Sequence, residues 1–189
     1  MEKTLVTDRS SITTDWDCRM KYYWYRHAEG QGIVPVQEPH YFVDGRNFAD
    51  SLELARTPGF EIMSWAEEQV ARLSTLTDIK AQESLLRLVG MMIAYKKYIE
   101  PKILQQFDIV DMEKELILDR SPLWIATTPD LIKRDRKTGK LVYQDDKSVT
   151  NASNQWTAHW NYAIQLHIGL AAMEEEYEEE VAYAHIMGL

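Results

Sequence analysis

The sequence predicts a mixed α/β fold in one domain spanning 1–189: a helical N-terminal half, three antiparallel strands, one helix and a final strand. Three observations lead there. Up to about Gln106 the apolar residues recur at three- and four-residue spacings, as in Leu85, Leu86, Leu88, Val89, Met92 and Ile93. From Ile109 the period falls toward two, in stretches broken by turn residues. After Asn154 the helical spacing returns and is followed by one last apolar run, VAYAHIMGL.

Ser10 and Ser11 are candidate N-caps for a first helix over about 10–26 that ends near Gly30. Gly32, Pro35 and Pro39 mark 31–44 as a loop. A second helix is expected from Arg46 to Arg56, stopped by Pro58 and Gly59, and a third from Ile62 to Leu73. The fourth runs from Ile79 to about Gln106, and Pro101 kinks or splits it. Strands are expected over 109–118, 123–134 and 141–149, with Arg136, Lys137, Thr138, Gly139 and Lys140 forming the turn between the last two. A helix over 154–177 and a strand over 181–189 complete the order. There is no internal repeat and no low-complexity linker.

Composition narrows the function classes. The chain of 189 residues carries a net charge of −9, whereas DNA-binding modules are typically basic. Glu174, Glu175, Glu176, Glu178, Glu179 and Glu180 hold much of that acid, most simply as a solvated helix end. No apolar run is long enough for a membrane span, and MEKTLVTDRSS lacks the apolar core of a signal peptide. A single cysteine, Cys18, makes neither an internal disulfide nor a cysteine metal cluster. These features together point to a reduced, cytoplasmic compartment with no membrane partner.

The residues that carry chemistry are Pro129 and Asp130, then, after fourteen intervening residues, Asp145, Asp146 and Lys147. A tight hairpin between two strands brings Asp130 and Asp145 side by side. Positions i and i+2 on a strand share a face, so Asp145 and Lys147 point together and Asp146 points away, unless a bulge shifts the register. Two close carboxylates repel unless a cation lies between them, and hard oxygen ligands suit Mg²⁺ or Mn²⁺. A lysine beside such an ion can orient water or stabilise charge on a phosphate.

This arrangement resembles the PD-(D/E)XK nuclease superfamily, most closely its RecB-type and phage exonuclease branch. SSITTDWDCRMKYYWYR looks like the N-terminal helix of the branch. FVDGRNFADSLELA looks like its Gly-x-x-x-His-x-x-x-Glu helix, and IVDMEKELIL like the strand before the Asp motif. Gln165 falls where the branch carries Gln-x-x-x-Tyr. The order of elements agrees over nearly the whole chain. The resemblance implies a restriction-endonuclease-like fold, with Asp130, Asp145 and the backbone carbonyl of Asp146 as metal ligands and Lys147 as the catalytic lysine. Glu53 would be a further ligand, direct or through water, and Gln165 would position Lys147 or a phosphate. Three positions depart from the pattern: Ala49 replaces the His, Gly169 replaces the Tyr, and Thr128 replaces a Gly two residues before the first Asp. Tyr162, three residues before Gln165 on the same helix face, could stand in for the lost Tyr.

Other residues divide between packing and contact. Met20, Tyr23 and Trp24 sit at core spacing, while Arg19, Arg26 and Lys133 are the candidates for phosphate contact. Lys96 and Lys97, and the hairpin residues Arg134, Arg136, Lys137 and Lys140, are further basic clusters, the hairpin ones also explained as a solvated turn. Trp156 and Trp160 read as a core stripe. His159, His167 and His185 have no ligand spacing with acidic partners, and Cys18 without three companions excludes an iron–sulfur cluster.

The function implied is a Mg²⁺- or Mn²⁺-dependent DNA nuclease, exonuclease-type, of phage or bacterial recombination and repair. It would act on DNA in the cytoplasm of a bacterium or an infected host, with a recombination or repair protein as a possible partner. The rival from another class is a degenerate nuclease fold that binds DNA or protein without cutting, which Ala49, Gly169 and the acidic charge favour.

Overall fold

The computed structural model describes residues 5–8, 40–121, 123–149 and 163–188. The expected first helix, with Cys18, Arg19 and Arg26, lies outside the described residues, as do Trp156, His159, Trp160 and Tyr162. The architecture is mixed α/β with two sheets. No helix among the described residues is long and apolar enough to cross a membrane.

Helix α1, His40–Arg56, begins at His40 rather than at Arg46. Residues 40–45 are weak helix formers but contain no proline to stop the chain, and the helix extends back to the residue after Pro39. Phe48, Leu52 and Ala55 form its buried stripe, at helical spacing. Helix α2, Ile62–Arg72, agrees with expectation and tightens into a 3₁₀ turn, Leu73–Thr75. Helix α3, Ile79–Ala94, is capped by Asp78, whose side chain accepts from the Lys80 N–H at 3.0 Å. The helical path then widens into a π segment, Tyr95–Ile99, before α4, Glu100–Gln106. Pro101 has no N–H for an intrahelical bond, and the wide turn ahead of it absorbs the loss.

Each of the two longer expected strands is divided. The run expected over 109–118 is β2, Phe107–Met112, and β3, Leu116–Arg120. Between them Glu113 adopts φ 47°, a left-handed conformation uncommon for residues other than glycine, which turns the chain. The run expected over 123–134 is β4, Leu123–Thr127, and β5, Leu131–Asp135. Pro129 lies in the break, where it has no N–H to give a ladder. Strand β6, Leu141–Lys147, follows the expected turn, in which Asp135 accepts from the N–H groups of Lys137 at 2.8 Å and Thr138 at 2.9 Å. Helix α5 is described over Ile164–Tyr177, and β7 is Val181–Gly188.

The main sheet has the order β2-β5-β6-β7, antiparallel throughout its first three strands, with β7 parallel to β6. A second sheet, β1-β4-β3, includes β1, Leu5–Asp8, which was not expected and pairs parallel with β4. The two faces of β6 feed two cores. Val142 joins Phe48, Leu52, Tyr95 and Phe107 on the side of α1. Leu141 and Tyr143 join Leu166, Ile168, Ala172 and Met173 of α5, together with Leu116, Leu118 and Ile125 of the second sheet. The end of β6 therefore emerges between a helical layer and α5.

Candidate active site

The β5–β6 hairpin sets the geometry. Leu131 is opposite Gln144 and Ile132 opposite Tyr143, so Asp130, one residue before β5, meets the Asp145–Asp146 step of β6. The Asp146 N–H donates to Asp130 Oδ2. The alternation along β6 is regular here. Lys147 ion-pairs with Asp145 Oδ2, and the two share the face that α5 covers. Asp145 is 3% exposed, and its Oδ2 accepts no aligned hydrogen bond. Asp146 points to the opposite face, where its carboxylate accepts from Arg56 of α1 and, at 2.7 Å, from Gln144 Nε2.

Crowding of acids marks this end of the sheet. Burial pushes the Asp130 carboxyl up to about 6; the Asp146 N–H opposes that shift, while the charges of Asp146 and Asp145 add to it. Glu113, half-buried at its left-handed turn, is pushed up to about 7, first by burial and then by the charges of Asp130 and Glu53. The Asp130 carboxyl is close enough that sharing a proton with it also raises Glu113. Glu113 was not singled out from the sequence. The available signal was an acidic residue inside an apolar strand pattern, where a solvated turn would also place one. Glu53 is exposed on α1, close enough to Glu113 for their charges to interact.

Lys133 is not a phosphate contact. It is 0% exposed, because its position on β5 faces the helical layer beside Val142. Its ammonium donates to Gln144 Oε1 and approaches His185 Nδ1 at 2.6 Å, with Phe107 beneath at 4.1 Å to the ring centroid. Burial lowers this ammonium to about 8, opposed by the Asp146 charge and assisted by Arg56. A continuous buried chain, Arg56–Asp146–Gln144–Lys133–His185, thus backs the strand whose other face carries Asp145 and Lys147.

Gln165, buried on α5, donates from Nε2 to Asp145 Oδ1 at 2.6 Å. Its contact here is with the Asp145 carboxylate, where the expectation was that it would position Lys147 or a phosphate. Gly169, one turn further along α5, lies against the Tyr143 ring: an added Cβ would come within 2.4 Å of it. The ring reaches this place from β6, so a side chain at 169 has no room. Ala49 is exposed on α1, between Gly45 and Glu53 on the same helix face.

Several other basic groups have acidic partners. Lys114, Arg120, Arg134 and Lys140 pair with Glu176, Glu175, Glu179 and Glu180. The glutamate run and the strand and hairpin cations thereby neutralise one another across β7, α5 and the sheet ends. Arg136 pairs with Asp108, and Lys96 with Glu100. Lys97 lies over the Tyr98 ring at 5.2 Å.

Carboxylate oxygens are the ligand type that a hard divalent cation takes. Asp145 Oδ2 is buried with the Lys147 ammonium as its ion partner, and Asp130 and Glu113 hold protons more tightly than ordinary carboxyls, first because they are buried and then because carboxylate charges lie near them. Among the described residues, no group of three or more His, Cys, Asp or Glu side chains is arranged to hold a metal ion. No protein-family model matches the chain, and no curated protein is similar enough to count as a relative.

Proposed function

We propose that the chain is a Mg²⁺- or Mn²⁺-dependent DNA nuclease with a restriction-endonuclease-like fold of the PD-(D/E)XK superfamily, exonuclease-type, serving recombination or repair. The observation that carries this reading is Asp145 and Lys147 on one face of β6 with Asp130 at the adjoining strand end. Asp130, Asp145 and the Asp146 carbonyl would hold the ion, with Glu53 and Glu113 at its acidic border. Such an ion, when bound, supplies positive charge to a phosphate oxygen and lowers the pKa of a coordinated water. The residues do the rest. Gln165 fixes the orientation of Asp145, and the Asp146 N–H fixes that of Asp130. Lys147, a third exposed at its side chain, can reach a phosphate oxygen or orient the attacking water.

The degenerate-site reading draws support from exposed Ala49 in place of a ligand and from Lys147 pairing with Asp145. The test is incubation of linear double- and single-stranded DNA with the protein and Mg²⁺ or Mn²⁺. Metal-dependent loss of full-length DNA supports the nuclease. No cleavage of any DNA form, with a Mn²⁺ titration that leaves the melting temperature unchanged, contradicts both catalysis and an intact metal site.

A further inference from the structure

We propose that the cleft between α1 and α3, at the end of β6, seats one unstacked nucleotide of a single-stranded DNA end. This rests on the nuclease reading and specifies its substrate. The cleft measures about 320 Å³, within the range of about 300–1,000 Å³ usual for small-molecule sites. It lies on the α1 side of β6, the face of Asp146 rather than that of Asp145 and Lys147, and meets the candidate site at the strand end. Ser148, which lines it, follows Lys147 directly, and a Cβ built at Gly45 would lie 4.0 Å from Ser148 Oγ.

The lining has two characters. Half-buried Leu88 and Met91, over the buried Phe48 ring, present apolar surface that suits the face of a base. Asn47 and Ser148 offer amide and hydroxyl groups at the edge, where base nitrogens and oxygens would lie. Asp44 accepts from the Ser84 hydroxyl and so ties α1 to α3 across the wall. Arg87 is exposed and lines both this cleft and an adjoining hollow of about 300 Å³, which also contains Lys80 and Glu83. Two cations and two carboxylates around the rim do not make a track for a polyanion. They provide one shared guanidinium for a single phosphate, beside an apolar place for a single base. A paired base in a duplex could not enter without leaving its stack, so the seat favours an unpaired end.

The test uses fluorescence anisotropy of a fluorescein-labelled oligothymidylate in EDTA, so that binding is read without cleavage. Free thymidine monophosphate and a blunt-ended duplex serve as competitors. Arg87→Glu and Asn47→Trp alter exposed residues of the cleft; Lys102→Glu, on exposed α4 surface, controls for charge. The expected result is a dissociation constant raised about tenfold or more by each cleft variant, consistent with loss of one stacked base, and unchanged in Lys102→Glu. Thymidine monophosphate should compete and the blunt duplex should not. Cleft variants that bind like wild type, or a duplex that competes as well as the single strand, would overturn the proposal. Mn²⁺-dependent cleavage by the wild type is measured in parallel. Cleft-dependent binding without cleavage leaves the seat and removes the nuclease reading; cleavage with binding insensitive to both variants does the reverse.

Discussion

The N–H of Asp146 donates to the carboxylate of Asp130, while the side chain of Asp146 crosses to the other face of β6 and meets Arg56. One residue thereby ties the strand end that carries Asp130 to helix α1. The Arg56–Asp146 pair is almost wholly enclosed, at 5% and 2% side-chain exposure. Removing one member of such a pair leaves a buried charge uncompensated, at about 3–5 kcal/mol. Arg56→Met should therefore lower unfolding stability in urea by about that amount. The double variant Arg56→Met/Asp146→Leu should lose less than Arg56→Met alone. A double variant at least as unstable as the single would show that the pair is not what makes Arg56 important.

Glu113 predicts a pH dependence. Its carboxyl is raised to about 7 from an ordinary 4.5, so the folded protein holds this proton more tightly than the unfolded chain. Ionisation therefore costs stability: nothing below about 4.5, increasing through the window to 7, and in full above it. Glu113→Gln keeps a donor toward Asp130 and removes the charge. In EDTA its melting temperature should exceed that of wild type by several degrees near pH 8 and match it near pH 4.5, at about 2–4 °C per kcal/mol. An equal effect at both pH values would mean that Glu113 ionises without penalty.

Tyr143 and Gly169 predict a packing coupling. Gly169→Ala places a methyl where the ring lies, and overpacking of this kind costs about 1–3 kcal/mol. Tyr143→Leu should relieve part of that cost, so a denaturation cycle over the two positions should be non-additive. Simple additivity would show that the cost of the methyl does not come from the Tyr143 ring.

Lys133 separates the buried chain from DNA contact. Lys133→Glu puts a carboxylate where Gln144 Oε1 now accepts and should unfold well below the wild-type temperature. Lys133→Met keeps the apolar stem and should bind DNA with wild-type affinity. Weakened DNA binding in a fully folded Lys133→Met would restore Lys133 as a contact.

What was legible in the sequence was periodicity and local chemistry. The α2 stretch, the 136–140 turn and the final strand follow from spacing and turn residues alone, and so does the opposite facing of Asp145 and Asp146. What was not legible depends on distant partners. Glu113 breaks a run that alternates acceptably, and nothing local marks its left-handed backbone, since no glycine stands there. Strand β1 exists as part of a sheet only through β4, more than a hundred residues away. Lys133 sits near a solvated turn in sequence, yet its strand register turns it inward toward Gln144 and His185. Gly169 looks like a lost tyrosine until Tyr143, arriving from the sheet, is seen to fill the same space.

The most direct test of the central claim compares Asp145→Asn with Asp146→Asn in single-turnover cleavage of linear DNA with Mn²⁺, below both melting temperatures. Asp145 shares the face of Lys147, whereas Asp146 offers the site its backbone and sends its carboxylate to Arg56. Asp145→Asn should abolish metal-dependent cleavage. Asp146→Asn, which keeps the carbonyl and the N–H to Asp130, should retain most of it while losing stability. Cleavage that survives in Asp145→Asn and disappears in Asp146→Asn would contradict the assigned site.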